Sequence, residues 1–255
     1  MRFASLGSGS RGNGLVVEVK QTRLLLDCGF GVGEAIRRLG RLGSSAQDLA
    51  GILITHEHAD HIGGAVRLAR KFGLTVWLTH GTFSAIPEKS RMSTSFTVID
   101  SHRRFSIQDI EIEPFPVPHD AREPIQFVFG DGQRRLGVLT DTGSSTPHIE
   151  MTLNGCDALV IECNHDEELL RTGAYPPALK RRIAGRFGHL DNDSAARLLA
   201  SINCTRLQHV IAAHLSEKNN TPELARAGLS RALNCTPDWI GVADQENGLD
   251  WRELR

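Results

Sequence analysis

The chain has 255 residues, 40% of them hydrophobic and 23% charged, with a formal net charge of −1. That length suffices for a substantial core, the composition excludes disorder, and the charge balance excludes a protein that binds nucleic acid through bulk positive charge, so any basic surface must be local. Five cysteines without a C-x-x-C pair exclude a disulfide framework and a thiolate zinc knuckle, and no apolar run approaches the roughly 18 residues of a membrane span. With no cleavable signal at the start, the expectation is one domain over residues 1–255, cytoplasmic and without a membrane partner.

Phe3 to Leu6 opens the chain as a short apolar strand and runs into G-S-G-S-R-G-N-G at Gly7 to Gly14. These glycines permit positive φ, and the exposed amides could cradle a phosphate or simply turn a hairpin. No Gly-Lys-Ser/Thr follows, so the stretch is not a nucleotide P-loop. Leu15 to Val19 and Arg23 to Leu26 make two strands ending at Asp27, and Glu34 to Leu39 reads as a helix stopped by Gly40. Next comes Gly51 to Gly64, G-I-L-I-T-H-E-H-A-D-H-I-G-G. Ile52 to Ile54 suits a buried strand, and the last part opens a helical pattern running to about Phe72. His56, His58, Asp60 and His61 therefore lie on the turn between two packed elements. Nitrogen and carboxylate donors on such a turn suit a borderline cation such as Zn²⁺; the bland alternative is a solvated His-rich turn.

Leu74 to Leu78 is a strand ending at His80, a lone strand-end histidine that reads as polar surface and stays outside the site. Phe96 to Ile99 and Phe105 to Ile112 give further strands, and Pro114, Pro116 and Pro118 keep the backbone extended up to His119. Gln126 to Phe129, the turn Gly130-Asp131-Gly132 and Leu136 to Thr140 form a hairpin that leads into Asp141. Ala158 to Ile161 is a buried strand followed by E-C-N-H-D at Glu162 to Asp166. A basic segment with Arg171, Lys180, Arg181, Arg182 and Arg186 runs into G-H-L-D-N at Gly188 to Asn192. It reads as a solvated helix face or as a surface for a phosphate backbone, the second implying steep salt dependence. Ser194 to Ile202 is a helix with Asp193 offered as N-cap, and Val210 to Ala213 is a strand before His214. Thr221-Pro222-Glu223 begins a helix to about Leu233, and Trp239 to Val242 reads as an edge strand.

Asp27, the His56 to His61 turn, His119, Asp141 and His214 thus follow five separate apolar runs, so all could meet along one edge of a sheet pair. Singly each has another reading: His119 an exposed loop residue, His214 a satisfied polar group, Asp141 a cap for the Thr142-Gly143 turn. Together they suit two cations about 3.5 to 4 Å apart, which can share a hydroxide and stabilise attacking and leaving oxygens at once. His189 falls outside that set. It could donate a proton to a leaving oxygen or contact a phosphate, or be a loop histidine with a structural hydrogen bond.

This pattern resembles the metallo-β-lactamase fold of metal-dependent hydrolases over essentially the whole chain. S-G-S-R-G-N at Ser8 to Asn13, E-C-N-H-D, G-H-L-D-N and H-L-S-E-K-N-N at His214 to Asn220 resemble the WalJ/YycJ-type single-domain proteins. The resemblance implies an α/β, four-layer αβ/βα sandwich with its site at one edge of two sheets, and two divalent metal ions, Zn or Mn, with Fe admitted by the same donors. It implies that His56, His58 and His119 bind one metal and Asp60, His61 and His214 the other, with Asp141 bridging and Asp27 orienting the His turn. Asp60 and Asp141 would hold and orient the attacking hydroxide, and His189 would assist the leaving oxygen. Ser8, Ser10, Asn13, His165 and Arg182 are candidate substrate contacts. The implied function is phosphodiester hydrolysis, as a DNA exonuclease acting 5′ to 3′ with a place in repair and nucleic acid as its partner. Alternatives are a thioester or lactone hydrolase of the glyoxalase II-like type, a small cyclic-phosphate phosphodiesterase, a ribonuclease Z-like enzyme, and a metal-dependent nucleic-acid binding protein without turnover. Aspartate rather than cysteine at 141 argues against a β-lactamase. The 72 residues between Asp141 and His214 are too few for the inserted domain of β-CASP-type nucleases.

Overall fold

A computed structural model describes residues 1–255. The first half of the chain supplies β1 (Arg2–Gly7), β2 (Gly14–Val19), β3 (Thr22–Leu26), β4 (Gly51–Leu53), β5 (Thr75–Leu78) and β6 (Ser95–Val98). Then follow β7 (Phe105–Ile107), β8 (Ile110–Pro116), β9 (Ile125–Gly130), β10 (Arg135–Leu139), β11 (Ala158–Glu162), β12 (His209–Ala213), β13 (Gly241–Val242) and β14 (Leu249–Glu253). They form two seven-stranded sheets, ordered β14-β1-β2-β3-β4-β5-β6 and β13-β12-β11-β10-β9-β8-β7. In each sheet antiparallel pairing gives way to a parallel run, β3 to β6 in the first and β10 to β13 in the second. The helices are α1 (Val32–Arg41), α2 (Ala59–Ile62), α3 (Ala65–Phe72), α4 (His80–Ala85), α5 (Glu88–Arg91), α6 (Pro147–Leu153), α7 (Glu167–Thr172), α8 (Pro177–Ile183), α9 (Asn192–Ser201) and α10 (Pro222–Leu233).

Strands covered on both faces read as continuous apolar runs, and successive side chains then divide between two cores. On β2, Leu15, Val17 and Val19 join the core between the sheets, while Val16 joins the cluster under α1 and α3 with Leu39 and Leu68. On β11, Ala158 and Val160 face the other sheet, and Leu159 and Ile161 pack with Leu198, Leu199 and Leu229 of α9 and α10. The result is helix, sheet, sheet, helix: the expected four-layer α/β sandwich. Phe127 and Phe129 are fully buried at the centre of the inter-sheet core, where truncating either to alanine should cost about 3–5 kcal/mol.

Several boundaries depart from the sequence reading. The helical pattern after the His turn splits into α2 and α3 at Gly63-Gly64. A side chain at Gly64 would collide with the Phe30 carbonyl, so glycine permits the close approach and interrupts the helix. Phe105 to Ile112 is two strands, because Gln108 adopts φ 51° and turns β7 back on β8. α9 is capped by Asp191 rather than Asp193, its carboxylate accepting from the Ser194 amide at 2.7 Å. Trp239 lies in a 3-10 turn, and the edge strand is only Gly241–Val242. His80 begins the short α4 and is exposed. No helix is long and apolar enough to cross a membrane.

Candidate metal centre

β3 and β4 of one sheet and β10, β11 and β12 of the other end on the same rim. In open parallel arrangements the crevice beyond the carboxyl ends of the strands is where ligands bind. Asp27 follows β3, the His turn follows β4, Asp141 follows β10, Glu162 ends β11 and His214 follows β12. Asp27, Asp141 and His214 have φ of 59°, 51° and 55°, the left-handed region that costs a non-glycine residue on the order of 1–3 kcal/mol when the surroundings enforce it.

The His turn is clamped by two neighbouring loops. The Cys28 amide donates to the His61 carbonyl at 2.7 Å, the Gly64 amide to the Cys28 carbonyl at 2.8 Å, and the Asn13 amide to the Asp60 carbonyl at 2.7 Å. Gly29 has no room for a side chain against the Asp60 carbonyl. The Asp60 and His61 carbonyls of the turn therefore have fixed partners on neighbouring loops, and the side chains there start from a braced base.

Four sets of donors converge, each with its ligand atoms within 4.8 Å of one another: His56, His58 and His119; Asp60, His61 and His214; His56, His61 and Asp141; and Asp141, Glu162, His189 and His214. Asp141 lies between the first two, with its carboxylate oxygens 3.1 Å from His61 Nε2, 3.5 Å from His214 Nε2 and 4.0 Å from His119 Nε2. The structure thus gathers all seven residues expected as ligands, and it draws them from both sheets.

Behind the histidines stands a ring of acceptors. Asp27 Oδ2 accepts from His61 Nδ1 at 2.8 Å, the Thr55 hydroxyl from His56 Nδ1 at 2.9 Å, and the Gly188 carbonyl from His119 Nδ1 at 3.1 Å. Asp27 also accepts from the Thr55 amide and hydroxyl at 2.9 Å each, so it ties the turn to β3 while fixing a ring. Anchoring Nδ1–H leaves the Nε2 lone pair for the centre, which is how outer partners set the tautomer of ligating histidines. Glu162, which the sequence reading passed over, is fully buried. It accepts from His189 Nδ1 at 2.7 Å and the Thr142 amide at 2.9 Å, and lies 3.3 Å from His214 Nδ1. Its signal was available: like Asp27 and Asp141, it is a carboxylate at the end of an apolar strand.

Burial disfavours charge, and His56 and His119 sit below the usual imidazole range for that reason, His56 being lowered further by His61. Burial also opposes the charge on His61 and His214, and is the largest single influence at each, yet the surrounding carboxylates led by Asp141 together outweigh it. Asp27 adds to the effect at His61, and Asp60 and Glu162 raise His214 to about 10. Against the same desolvation, His214 and His61 hold Asp60 and Asp141 below the carboxylate range. The buried carboxylates thus require nearby positive charge, which protons on imidazole or divalent cations can supply. Two atoms favour the cations: His56 Nε2 and Asp141 Oδ2 are buried without a hydrogen-bond partner. Orphaned acceptors facing the meeting point of both triads are costly unless something electropositive sits there. The donor set fits divalent metal ions.

The remaining expected contacts divide. Ser8 and Asn13 are buried and engaged internally. The Ser8 hydroxyl accepts from the His214 amide at 2.9 Å, and Asn13 accepts from the Gly9 amide at 2.9 Å and donates to the Gly9 carbonyl at 3.1 Å. These bonds tie the glycine loop to itself and to the His214 strand end. Ser10 is exposed on that loop. His165 is buried with Nδ1 unpartnered. Arg182 is exposed and donates to Asp120, next to His119, at 2.6 Å. His189 is partly exposed, and its ring stacks on that of His214 with centroids 5.3 Å apart.

Residues 22–214 match the model of the β-lactamase superfamily domain. The chain is 39% identical to the exodeoxyribonuclease YycJ of Bacillus anthracis, the match covering 98% of this chain and 96% of that protein. It is 33% identical to the exodeoxyribonuclease WalJ of Streptococcus pneumoniae D39, over 94% of this chain and 91% of that one. Among solved structures, zinc-bound PqqB from Methylobacterium extorquens superimposes with a TM-score of 0.75 at 17% identity, and the short form of human tRNase Z with 0.70 at 16%, each over the full length of both chains. These last two speak for the fold alone. From the sandwich, the rim of donors and the match over residues 22–214, the chain belongs to the β-lactamase superfamily, in its metallo-β-lactamase-fold branch.

Proposed function

We propose that this protein is a cytoplasmic two-metal phosphodiesterase that removes nucleotides from DNA ends in the 5′ to 3′ direction, in the service of repair. The observation that carries the metal-dependent part is the pair of buried, unpartnered acceptors, His56 Nε2 and Asp141 Oδ2, at the junction of two histidine-rich triads. DNA as substrate is supported by the near full-length likeness to two exodeoxyribonucleases.

In this reading His56, His58 and His119 would hold one cation and Asp60, His61 and His214 the other, with Asp141 available to both. When bound, two divalent cations supply Lewis acidity toward a phosphodiester and a water nucleophile at neutral pH. The rest falls to the protein's own side chains. Asp27, Thr55 and the Gly188 carbonyl keep three imidazoles in one tautomer and orientation. Glu162 holds His189 by Nδ1, so Nε2 is the atom that can carry a proton to the departing ester oxygen. Arg182 and its basic neighbours on α8 flank His119 through Asp120 and present positive charge to the strand backbone.

The test incubates protein reconstituted with Mn²⁺ or Zn²⁺ with DNA and RNA, single- and double-stranded, labelled at either end. Release of mononucleotides from the 5′ end of DNA is expected, with loss of activity on chelation. Preferential cutting of RNA, or turnover confined to thioesters, would overturn the reading.

A further inference from the structure

The loop Gly185 to His189 carries a feature that the metal centre does not use. Phe187 is 49% exposed and belongs to none of the three apolar clusters. A single exposed aromatic is common on protein surfaces. This one differs in how firmly its backbone is held and in what lies beside it.

The Phe187 carbonyl accepts from the Asp120 amide at 3.0 Å, the Gly188 amide donates to the Gly185 carbonyl at 2.7 Å, and the His189 amide donates to the Ile183 carbonyl at 2.9 Å. The Ser144 hydroxyl donates to the Arg186 carbonyl at 3.1 Å. Gly143 lies so close to the backbone of Arg186, Phe187 and Gly188 that a Cβ there would collide with all three. The loop is thus locked to the turn that follows Asp141 and to the residue that follows His119, and Phe187 is presented from a rigid support. The guanidinium of Arg186 lies over one face of the ring, 4.9 Å from its centroid, so the platform carries a cation on that face and a base would stack on the other. Only Gly188 separates Phe187 from His189, so the two lie at most about 7 Å apart along the chain, or roughly two stacked nucleotides.

Resting on the phosphodiesterase reading, we infer that Phe187 is a base-stacking platform: an unpaired nucleobase near the strand end lies on its ring and sets the scissile phosphate in register with the centre. Stacking asks only for a π-face, so the platform accepts every base and grips single-stranded ends in preference to paired ones. Removing an aromatic platform typically costs about 5- to 150-fold in affinity per base.

The test uses the metal-loaded enzyme and oligonucleotides carrying one abasic nucleotide at each of the first four positions in turn. In wild type, kcat/KM should drop by about 5- to 150-fold at one of those positions. That position dependence should vanish in Phe187→Ala, persist in Phe187→Trp and be largely lost in Phe187→Leu. 2-Aminopurine at the same position reads stacking by fluorescence quenching, whether or not the strand is cut. Quenching that disappears in Phe187→Ala supports the platform. Absence of quenching in wild type, an abasic penalty unchanged in Phe187→Ala, or a uniform loss on all substrates with a lowered Tm would overturn it. Quenching without cutting would instead fault the exonuclease reading and leave the platform standing.

Discussion

Glu162 lies behind His189 and His214 with both carboxylate oxygens engaged, and its charge is what lets those rings keep their protons on the outer nitrogen. Glu162→Gln preserves shape but removes that charge, so turnover should fall about 10- to 100-fold, with metal affinity reduced through His214. A kcat and metal-titration comparison checks this. His189→Ala should retain its metals by elemental analysis while losing about 10²- to 10⁴-fold in kcat on DNA. Metal loss in that variant would mark His189 as a ligand. The H-x-H-x-D-H turn was legible in the sequence because its donors are adjacent and few other chemistries want them at that spacing. Glu162 carries the same strand-end signal as Asp27 and Asp141, but a search keyed to histidine and aspartate ignores a glutamate whose work is to hold other side chains.

α1 shows how an element distant from the centre still supports it. Arg38, nearly buried, donates to the carbonyls of Leu6 and Gln245 at 2.7 and 2.8 Å, and Gln245 in turn donates to the Gly12 carbonyl at 2.8 Å, so the helix braces the glycine loop that packs on the His turn. Glu34 accepts from Arg37 at 2.6 Å and from Arg38 at 2.5 Å, and those two guanidinium groups lower its pKa to about 2. A depressed folded-state value stabilises the fold above the ordinary glutamate range, and the contribution is lost as pH falls through about 2. Glu34 is partly exposed, so solvent screening keeps the effect to roughly 0.5 kcal/mol. Denaturant titrations between about pH 5 and 2 should therefore show a slightly shallower acid decline for Glu34→Gln than for wild type. The buried strands were legible because two-sided burial leaves an unbroken apolar run. β14 was not: L-D-W-R-E mixes charge into a five-residue edge strand. α6 was missed because its buried apolar residues, Ile149 and Leu153, fall on barely two turns.

For the whole molecule, the sequence could place five strand ends on a common edge but not say which strands pair. The order and register of fourteen strands depend on contacts between distant segments that no local pattern encodes. The finished arrangement makes metal binding a matter of global stability, since any ligand bound only by the folded state adds to it. With cations at about 100 to 1,000 times their Kd, the gain is about 3 to 4 kcal/mol, or on the order of 5 to 15 °C in Tm for a chain of this size. Differential scanning calorimetry before and after chelation, and after adding Mn²⁺ or Zn²⁺ back, should show that shift and its reversal. A chelated protein melting at the same temperature would mean that the donors hold no cation tightly.

His56, His58, Asp60 and His61 come from one sheet and His119, Asp141 and His214 from the other, so the centre is a ruler laid across the sandwich. A slip of about 1 Å between the layers can cost a reaction 10²-fold while leaving nearly all burial intact. In a guanidinium series, turnover should be extinguished while circular dichroism still reads a native fold. Coincident loss of both signals would mean that the two layers part only when the whole protein does.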